Sequence, residues 1–425
     1  MAERLSSQAP PRGRWIRQAA GRVILSLVVT LLSLELGLRV LWLKQLTIKA
    51  GIEHPHFHHR LNPNQTYHFY SGEFDVNVRT NGYGLRGPDP VVPKPTHTLR
   101  ILMLGDSFTF GFPVQDQQTF SALIEHGLRA QGYAAEVVNA GVSGYSPTLH
   151  YISLRDQFLD FQPDLVMLWY DYGDLQEDSW FQKNLIYDPQ GQIVRCDPRY
   201  RNGRFDWWEW GRNHSALIRY TDIKVIRLFN YLRVLGLDGY VQVKLRGERA
   251  KVAVARVKRS QADRDLPAFD RFLLVRDTTS DEVLDRYWPV SARYIRMIRD
   301  VLTTRGIPLV FGSYPYGMVV GPDQWAAGRK FFGFEPGKIY DGQRANAFLE
   351  RFAKEENVPF ITALSAFQRA AAREKLYYDQ DGHMTPAGHR VLAQTVLRDE
   401  RFLTLVRQQA GRVGAVIDTQ APSKW

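Results

Sequence analysis

Arg100–Gly111, RILMLGDSFTFG, is the stretch on which the fold turns. Ile101–Leu104 is a short continuous apolar run, closed at once by a glycine, an acid and a serine. A run this short, with no polar alternation, suits a strand buried on both faces. Residues that follow such a strand emerge at the carboxyl edge of a sheet, where open α/β folds gather their ligands. Ser107 is therefore a candidate nucleophile. A serine after a strand is also a common helix cap or turn residue, so the reading needs a partner elsewhere in the chain.

Tyr378–His389, YDQDGHMTPAGH, supplies one. It sets Asp381 and His383 two residues apart in a polar turn directly before a helix-like run. A serine hydroxyl is a weak nucleophile at neutral pH and needs a base within hydrogen-bond reach, itself oriented by a third group. His383 can be that base and Asp381 its orienter.

With these residues in place the chain resembles the SGNH/GDSL-type hydrolases, in a membrane-anchored branch similar to bacterial surface-polysaccharide O-acyl esterases and acetyltransferases. The first block of that family matches Gly105, Asp106 and Ser107. The second matches VNAGVSGYS, Val138–Ser146, with Gly144 at the glycine that offers a backbone N–H. The fifth matches DGHMTPAGH, in the D-x-H spacing of the membrane-anchored and glycan-acylating branches. Three blocks in the right order, spanning most of the chain, are far more specific than any one of them. The third block departs. Where the family carries an oxyanion asparagine followed by an acid, Asp164–Asp178 reads DLVMLWYDYGDLQED, which places Gly173 at the asparagine and Asp174 at the acid. A lost oxyanion donor costs on the order of 10²–10³ in rate. The Gly173 N–H, or a hydroxyl from Tyr170 or Tyr172, are the alternative donors. The resemblance thus implies catalytic Ser107, Asp381 and His383, an oxyanion pocket from Ser107, Gly144 and Gly173, and no metal or cofactor.

The rest of the chain fits around this site. Strand-like runs at Ile101–Leu104, Glu136–Val142, Leu165–Tyr170, Pro308–Ser313 and Pro359–Ala363 alternate with helical stretches. Those stretches are Thr119–Gln131, Thr148–Phe161, Ser291–Arg305 and Gln343–Glu356. This rhythm predicts a three-layer α/β/α domain with a parallel sheet over residues 98–410. A long insertion at about 178–287 interrupts it. The insertion carries Trp180, Trp207, Trp208 and Trp210, a predicted helix over Ser215–Leu235, and a basic run from Lys244 to Arg259. Its aromatic part reads either as a sugar-stacking surface or as the core of a cap.

Before the domain, residues 1–22 hold five arginines against one acid, and Val23–Leu43 is close to the roughly 20 residues a helix needs to cross a bilayer. Basic residues ahead of the span predict a cytoplasmic tail and an exported domain. A cleaved signal peptide and an amphipathic core helix are the rival readings. Glu35 and Arg39, one turn apart, are expected to pair. Residues 44–97 read as a juxtamembrane linker, with His54, His56, His58 and His59 in its solvated part, followed by a hairpin. Its stretch Val76–Gly87, VNVRTNGYGLRG, has a counterpart ahead of the first block in the membrane-anchored branch. Residues 411–425 read as a frayed tail.

A net charge of +11 favours anionic partners. The single cysteine, Cys196, excludes an intrachain disulfide and a thiolate-rich zinc site. Nucleic acid does not suit an exported domain. The expected partners are the membrane and an acylated carbohydrate or lipid. The function expected is a serine esterase or acyltransferase acting through an acyl-enzyme. The alternative is a catalytically weak glycan-binding protein of a surface-polysaccharide pathway.

Overall fold

The computed structural model describes residues 12–41, 51–221 and 270–416. The basic tail as far as Pro11, the linker at 42–50, the predicted helix beyond Thr221, the basic run Lys244–Arg259 and the end of the chain from 417 lie outside the described residues. Two units are distinguished. The smaller consists of helix α1, Arg12–Leu41, together with residues 207–221. Ile16–Val40 is long and apolar enough to cross a membrane, and its apolar side chains are exposed. The expected Glu35–Arg39 pair is present at 2.7 Å. Glu35 also accepts hydrogen bonds from Ser215 Oγ and from the backbone N–H groups of Ala216 and Leu217 at 2.8–2.9 Å. Arg39 donates to the His214 carbonyl at 2.6 Å.

The larger unit begins with two hairpins. Strands β1, Gly51–His54, and β2, His58–Leu61, pair antiparallel, as do β3, Thr66–Tyr70, and β4, Asp75–Arg79. The histidines, expected in a solvated linker, are therefore part of folded structure: His56 pairs with Asp156 at 2.6 Å, and His58 packs edge-on against Phe181. Strand β5, Leu99–Gly105, then starts the main sheet and is buried along its whole length. The chain continues through the short helix α2, Ser107–Phe110, and helix α3, Phe120–Ala130, into β6, Ala135–Gly141. After α4, Pro147–Asp156, come β7, Leu165–Tyr170, and α5, Asp174–Phe181. The insertion opens with a third hairpin, β8, Leu185–Tyr187, with β9, Ile193–Cys196. The rhythm resumes with α6, Asp281–Thr303, β10, Leu309–Ser313, α7, Gly342–Glu355, and β11, Phe360–Thr362. Helices α8, Leu364–Ala371, α9, Pro386–Val396, and α10, Glu400–Val413, close the domain.

All five sheet strands are parallel, in the order β11-β10-β7-β5-β6. Strands β5, β7 and β10 are buried at every position, so both faces of the sheet are covered, and the expected α/β fold with five parallel strands is the one observed. The chain leaves β5 toward β6 on one side and returns to β7 on the other. The carboxyl end of β5 is thus the switch point at which such folds open a crevice, and Ser107 stands there.

Two expected boundaries move. Helix α6 begins ten residues before Ser291 and runs through Pro289, because Leu284 and Trp288 are buried and Trp288 packs edge-on against Phe348 and Phe352 at 5.0 Å. Tertiary packing outweighs the lost backbone hydrogen bond at the proline. The first residues of the expected tail, 411–416, belong to the fold: Gly414 ends α10 in the left-handed region, and Ala415 accepts a hydrogen bond from the Ala134 N–H at 2.8 Å.

The stretch ahead of the first block ends in a buried arginine. Arg86 pairs with Asp116 at 2.8 Å and donates to the carbonyls of Phe110, Gly111 and Val114, so one side chain ties down the loop that follows α2. Replacing it with methionine leaves the Phe110 and Val114 carbonyls without a donor among the described residues and Gly111 with the Val114 N–H alone. Arg86→Met is expected to lose about 3 kcal/mol of stability in a denaturant titration, whereas a loss of under about 0.5 kcal/mol would show the loop to be held by other contacts.

Candidate active site

The two chemistry-bearing stretches meet. Gly105 ends β5 and Asp106 caps α2, its carboxylate accepting the Phe108 N–H at 2.9 Å and the Tyr314 hydroxyl. This turns the chain so that Ser107 faces the loop before α9. His383 Nε2 lies 2.8 Å from Ser107 Oγ, and His383 Nδ1 lies 2.6 Å from Asp381 Oδ1. An ionised carboxylate only accepts, so Nδ1 carries the ring proton and the Nε2 lone pair faces the serine hydroxyl. Burial works against the Asp381 charge, but the hydrogen bond and charge of His383 hold its pKa below the ordinary carboxylate value.

Local structure fixes the loop. Thr385 caps α9 by accepting from the Gly388 N–H at 3.3 Å. Gly382 has φ +90°, and a β-carbon there would stand 2.5 Å from Trp325 Nε1, so position 382 needs glycine on both counts. The Glu73 carboxylate, from the turn between β3 and β4, accepts the N–H groups of Gln380 and Asp381 at 2.9 and 3.1 Å. Phe108 and Phe112 flank the His383 ring with centroids 4.8 and 5.0 Å away. His389, the other histidine of this stretch, is fully buried and accepts from the Phe120 N–H at 3.2 Å. Burial pushes its pKa down to about 3, which keeps it neutral and structural.

Three groups were expected as oxyanion donors. Among the described residues neither the Ser107 nor the Gly144 N–H has a hydrogen-bond partner. The Ser143 carbonyl, at the other end of the peptide unit that carries the Gly144 N–H, faces His59 Nε2 at 2.9 Å. Gly173 differs. Its N–H is directed to Asp171 Oδ1 at 2.5 Å, which removes it from the free donors. Of the alternatives, the Tyr170 hydroxyl donates to Ser291 Oγ at 3.2 Å, whereas the Tyr172 hydroxyl is buried without a hydrogen-bond partner among the described residues, its ring stacked on Tyr316. The backbone at Gly173 is ordinary helical, φ −78° and ψ −19°, so no unusual conformation demands glycine. Space does: a β-carbon would stand 2.4 Å from Arg271 Nε and 2.7 Å from Asp171 Oδ1.

Behind Gly173 lies a cluster of acids that the sequence reading did not foresee. Asp106, Asp171, Asp174 and Asp178 are buried, with Glu177 beside them. Asp178 accepts from Ser146, Thr148 and Ser291 side chains at 2.5–2.7 Å and fastens α4 to α6. Asp171 accepts the Tyr316 hydroxyl at 2.5 Å. Burial, reinforced by neighbouring acids, pushes the pKa of Asp106 up to about 6 and that of Glu177 up to about 8, and that of Asp174 well above the ordinary carboxylate value. No group of three or more His, Cys, Asp or Glu among the described residues is arranged to hold a metal ion.

The profile of the GDSL-like Lipase/Acylhydrolase family matches residues 103–391, about two thirds of the chain. Solved structures with a similar fold include a putative lipolytic protein of the G-D-S-L family from Desulfitobacterium hafniense DCB-2, at 12% identity over 71% of this chain and 98% of that one, TM-score 0.33. Axe2, an acetylxylan esterase from Geobacillus stearothermophilus, matches at 15% identity over 70% of this chain and 92% of that one, TM-score 0.33. A two-domain esterase, CEX, active on acetylated mannans, matches at 12% identity over 76% of this chain and 52% of that one, TM-score 0.34. No curated protein sequence matches the chain.

The raised carboxyl pKa values make stability depend on pH. Glu177 keeps its proton in the folded state up to about pH 8, while the unfolded chain gives it up near the ordinary value of 4.5. Over that interval the folded state binds more protons, so stability falls as pH rises. Glu177→Gln removes this contribution. Its melting temperature is expected to gain on the parent progressively from pH 5 to pH 8.5, and curves that run parallel across the range would place Glu177 among ordinary carboxylates.

Proposed function

The chain belongs to the GDSL-like lipase/acylhydrolase family, and from that premise we propose that it is a membrane-anchored, extracytoplasmic serine esterase or acyltransferase acting on O-acyl esters of carbohydrate or lipid. The observation that carries the proposal is the unbroken relay from Ser107 Oγ through His383 to Asp381, with spacings of 2.8 and 2.6 Å.

In the proposed reaction Ser107 Oγ bonds to the ester carbonyl carbon while its proton passes to His383 Nε2. Asp381 holds the ring and stabilises the imidazolium. The carbonyl electron pair moves onto oxygen, where the Ser107 and Gly144 N–H groups receive it. The C–O bond to the leaving alcohol breaks as His383 returns the proton to that alcohol, leaving an acyl-enzyme. Water, or a sugar hydroxyl in the transfer variant, then enters by the same route in reverse. A small acyl group such as acetyl is the proposed cargo. Acetylated carbohydrates as substrates rest on the family resemblance and on the kind of esters that the named esterases cleave.

The anchor rests on the bilayer-length helix with its basic residues ahead of it, and on the way Glu35 is satisfied within its own unit. The protein is expected to stay with membranes in high salt, and a reporter fused after Trp425 to be active only outside the cytoplasm. Release by salt would remove the anchor from the proposal.

The enzyme reading is tested by a fluorophosphonate probe, which bonds to an activated serine. The parent protein is expected to be labelled and Ser107→Ala to be silent. Asp381→Asn should keep the fold and lose about 10⁴ in kcat, as expected when the base is held in the wrong tautomer. A folded parent that takes no label would overturn the reading in favour of a binding protein.

A further inference from the structure

Arg271 fills the space that a side chain at position 173 would occupy. A β-carbon on Gly173 would lie 2.4 Å from Arg271 Nε and 3.0 Å from its Cγ. The guanidinium Nη2 stands 3.7 Å from both Asp171 Oδ1 and Glu177 Oε1. Its Nε is buried and makes no hydrogen bond among the described residues, while the side chain as a whole keeps 35% of its surface exposed. The cation is therefore lodged against the acid cluster while part of its side chain stays exposed.

Its place in the fold sets it beside the nucleophile. Strand β7 runs next to β5, with Leu168 paired to Leu104, so the loop carrying Asp171 and Gly173 leaves the sheet beside the turn carrying Ser107. The residue after Arg271, Phe272, packs edge-on against Tyr316 at 5.1 Å. Tyr316 packs against Phe108 at 5.1 Å, and Phe108 lies against His383. The charge of Arg271 also reaches Asp106, the neighbour of Ser107, where it works against the upward push of burial.

The chemistry of the site calls for such a group. Attack on an ester places a full negative charge on the carbonyl oxygen, and it does so beside Asp106, Asp171, Asp174 and Glu177. Any of these that is ionised opposes the new charge in a medium of low polarity. Two backbone N–H groups stand open, and no side-chain donor projects from position 173. Among the described residues Arg271 is the one cation paired with this cluster.

We propose that Arg271 is a catalytic residue, the third donor to the oxyanion formed on Ser107, and that position 173 is glycine because this side chain has taken the place of a donor there. The proposal rests on the esterase reading above. Arg271 keeps its protons throughout: it hydrogen-bonds to the oxygen as the carbonyl electron pair arrives and releases it when the C–O bond to the alcohol breaks. No proton or group is transferred to it.

The test uses the full-length protein in detergent, with kcat and KM for p-nitrophenyl acetate, a neutral ester, and the rate of fluorophosphonate labelling read by intact mass. The variants are Arg271→Met, Arg271→Lys, Arg271→Ala and the double variant Arg271→Ala with Gly173→Asn, each with a melting curve. Arg271→Met is expected to lose on the order of 100-fold in kcat and labelling rate with KM within about threefold of the parent. Arg271→Lys should retain part of the rate. The double variant should recover at least about tenfold over Arg271→Ala, since alanine removes the Cγ and Nε that stand 3.0 and 2.4 Å from a β-carbon at 173 and leaves the Asp171 carboxylate, 2.7 Å away, room to turn aside; a merely structural arginine gives no such rescue. Should the methionine variant unfold, the lysine and double variants are judged by the same measures. A folded Arg271→Met with kcat within about threefold of the parent, a change confined to KM, or a double variant without recovery overturns the proposal. A parent that is labelled at Ser107 but insensitive to Arg271 defeats this inference alone, whereas a parent that takes no label defeats the esterase reading with it.

Discussion

The contact on which this molecule depends joins residues 276 positions apart, Ser107 and His383, through a hydrogen bond of 2.8 Å. Neither end can be moved independently. Ser107 is set by β5, which is buried at every position in the middle of a parallel sheet. His383 is set by the start of α9, by the left-handed Gly382 against Trp325, and by Glu73 holding the backbone two and three residues earlier. A hydrogen bond between such distant segments carries a large ordering cost. The fold meets it by making each partner the rigid end of an element rather than the tip of a free loop.

The same end of the sheet concentrates negative charge. Four buried aspartates and Glu177 crowd the carboxyl ends of β5 and β7, and burying unpaired carboxylates is expensive. The structure answers in two ways. Most of the acids hold protons to higher pH than usual, and three accept from hydroxyl donors: Asp178 from Ser146, Thr148 and Ser291, Asp171 from Tyr316, and Asp106 from Tyr314. These bonds couple α4, α6 and the loops after β7 and β10 to the turn that bears the nucleophile. A cluster that looks unfavourable residue by residue thereby acts as a set of cross-links around the crevice.

How much of this is legible in the sequence follows from the range over which each feature is encoded. The five sheet strands come out within a residue or two, because an apolar run bounded by turn residues is a local signal. Ser107, Asp381 and His383 are singled out for the same reason, each lying in a short polar segment directly after a strand or before a helix. The start of α6 is missed, the expected helix opening only at Ser291, because the burial of Leu284 and Trp288 that carries the helix through Pro289 depends on α7. The histidines of β1 and β2 look like a solvated tract, since their partners Asp156, Ser143 and Phe181 lie far along the chain. Gly173 reads as a lost side chain. A comparison of positions registers what is missing from one residue and says nothing about Arg271, which reaches that space from the far end of a long insertion.

The insertion itself does not behave as one piece. Its opening hairpin, β8 with β9, joins the larger unit, where the Cys196 N–H donates to the His56 carbonyl at 2.9 Å and Phe57 bridges to Cys196. Residues 207–221 instead go with α1. There Glu35 accepts the backbone donors that open the turn at Ala216 and Leu217, and Arg39 reaches the His214 carbonyl. A carboxylate on an otherwise apolar, exposed helix is costly unless its lone pairs are filled. Here they are filled by an arginine one turn away and by a helix start that would otherwise have left its own N–H groups without partners. The two deficits cancel, which accounts for an acid near the end of a helix of bilayer length. Among the described residues the insertion is therefore best understood as three segments answering different needs: the opening hairpin joins the sheet domain, residues 207–221 satisfy the polar groups of α1, and the last stretch carries Arg271 to Gly173.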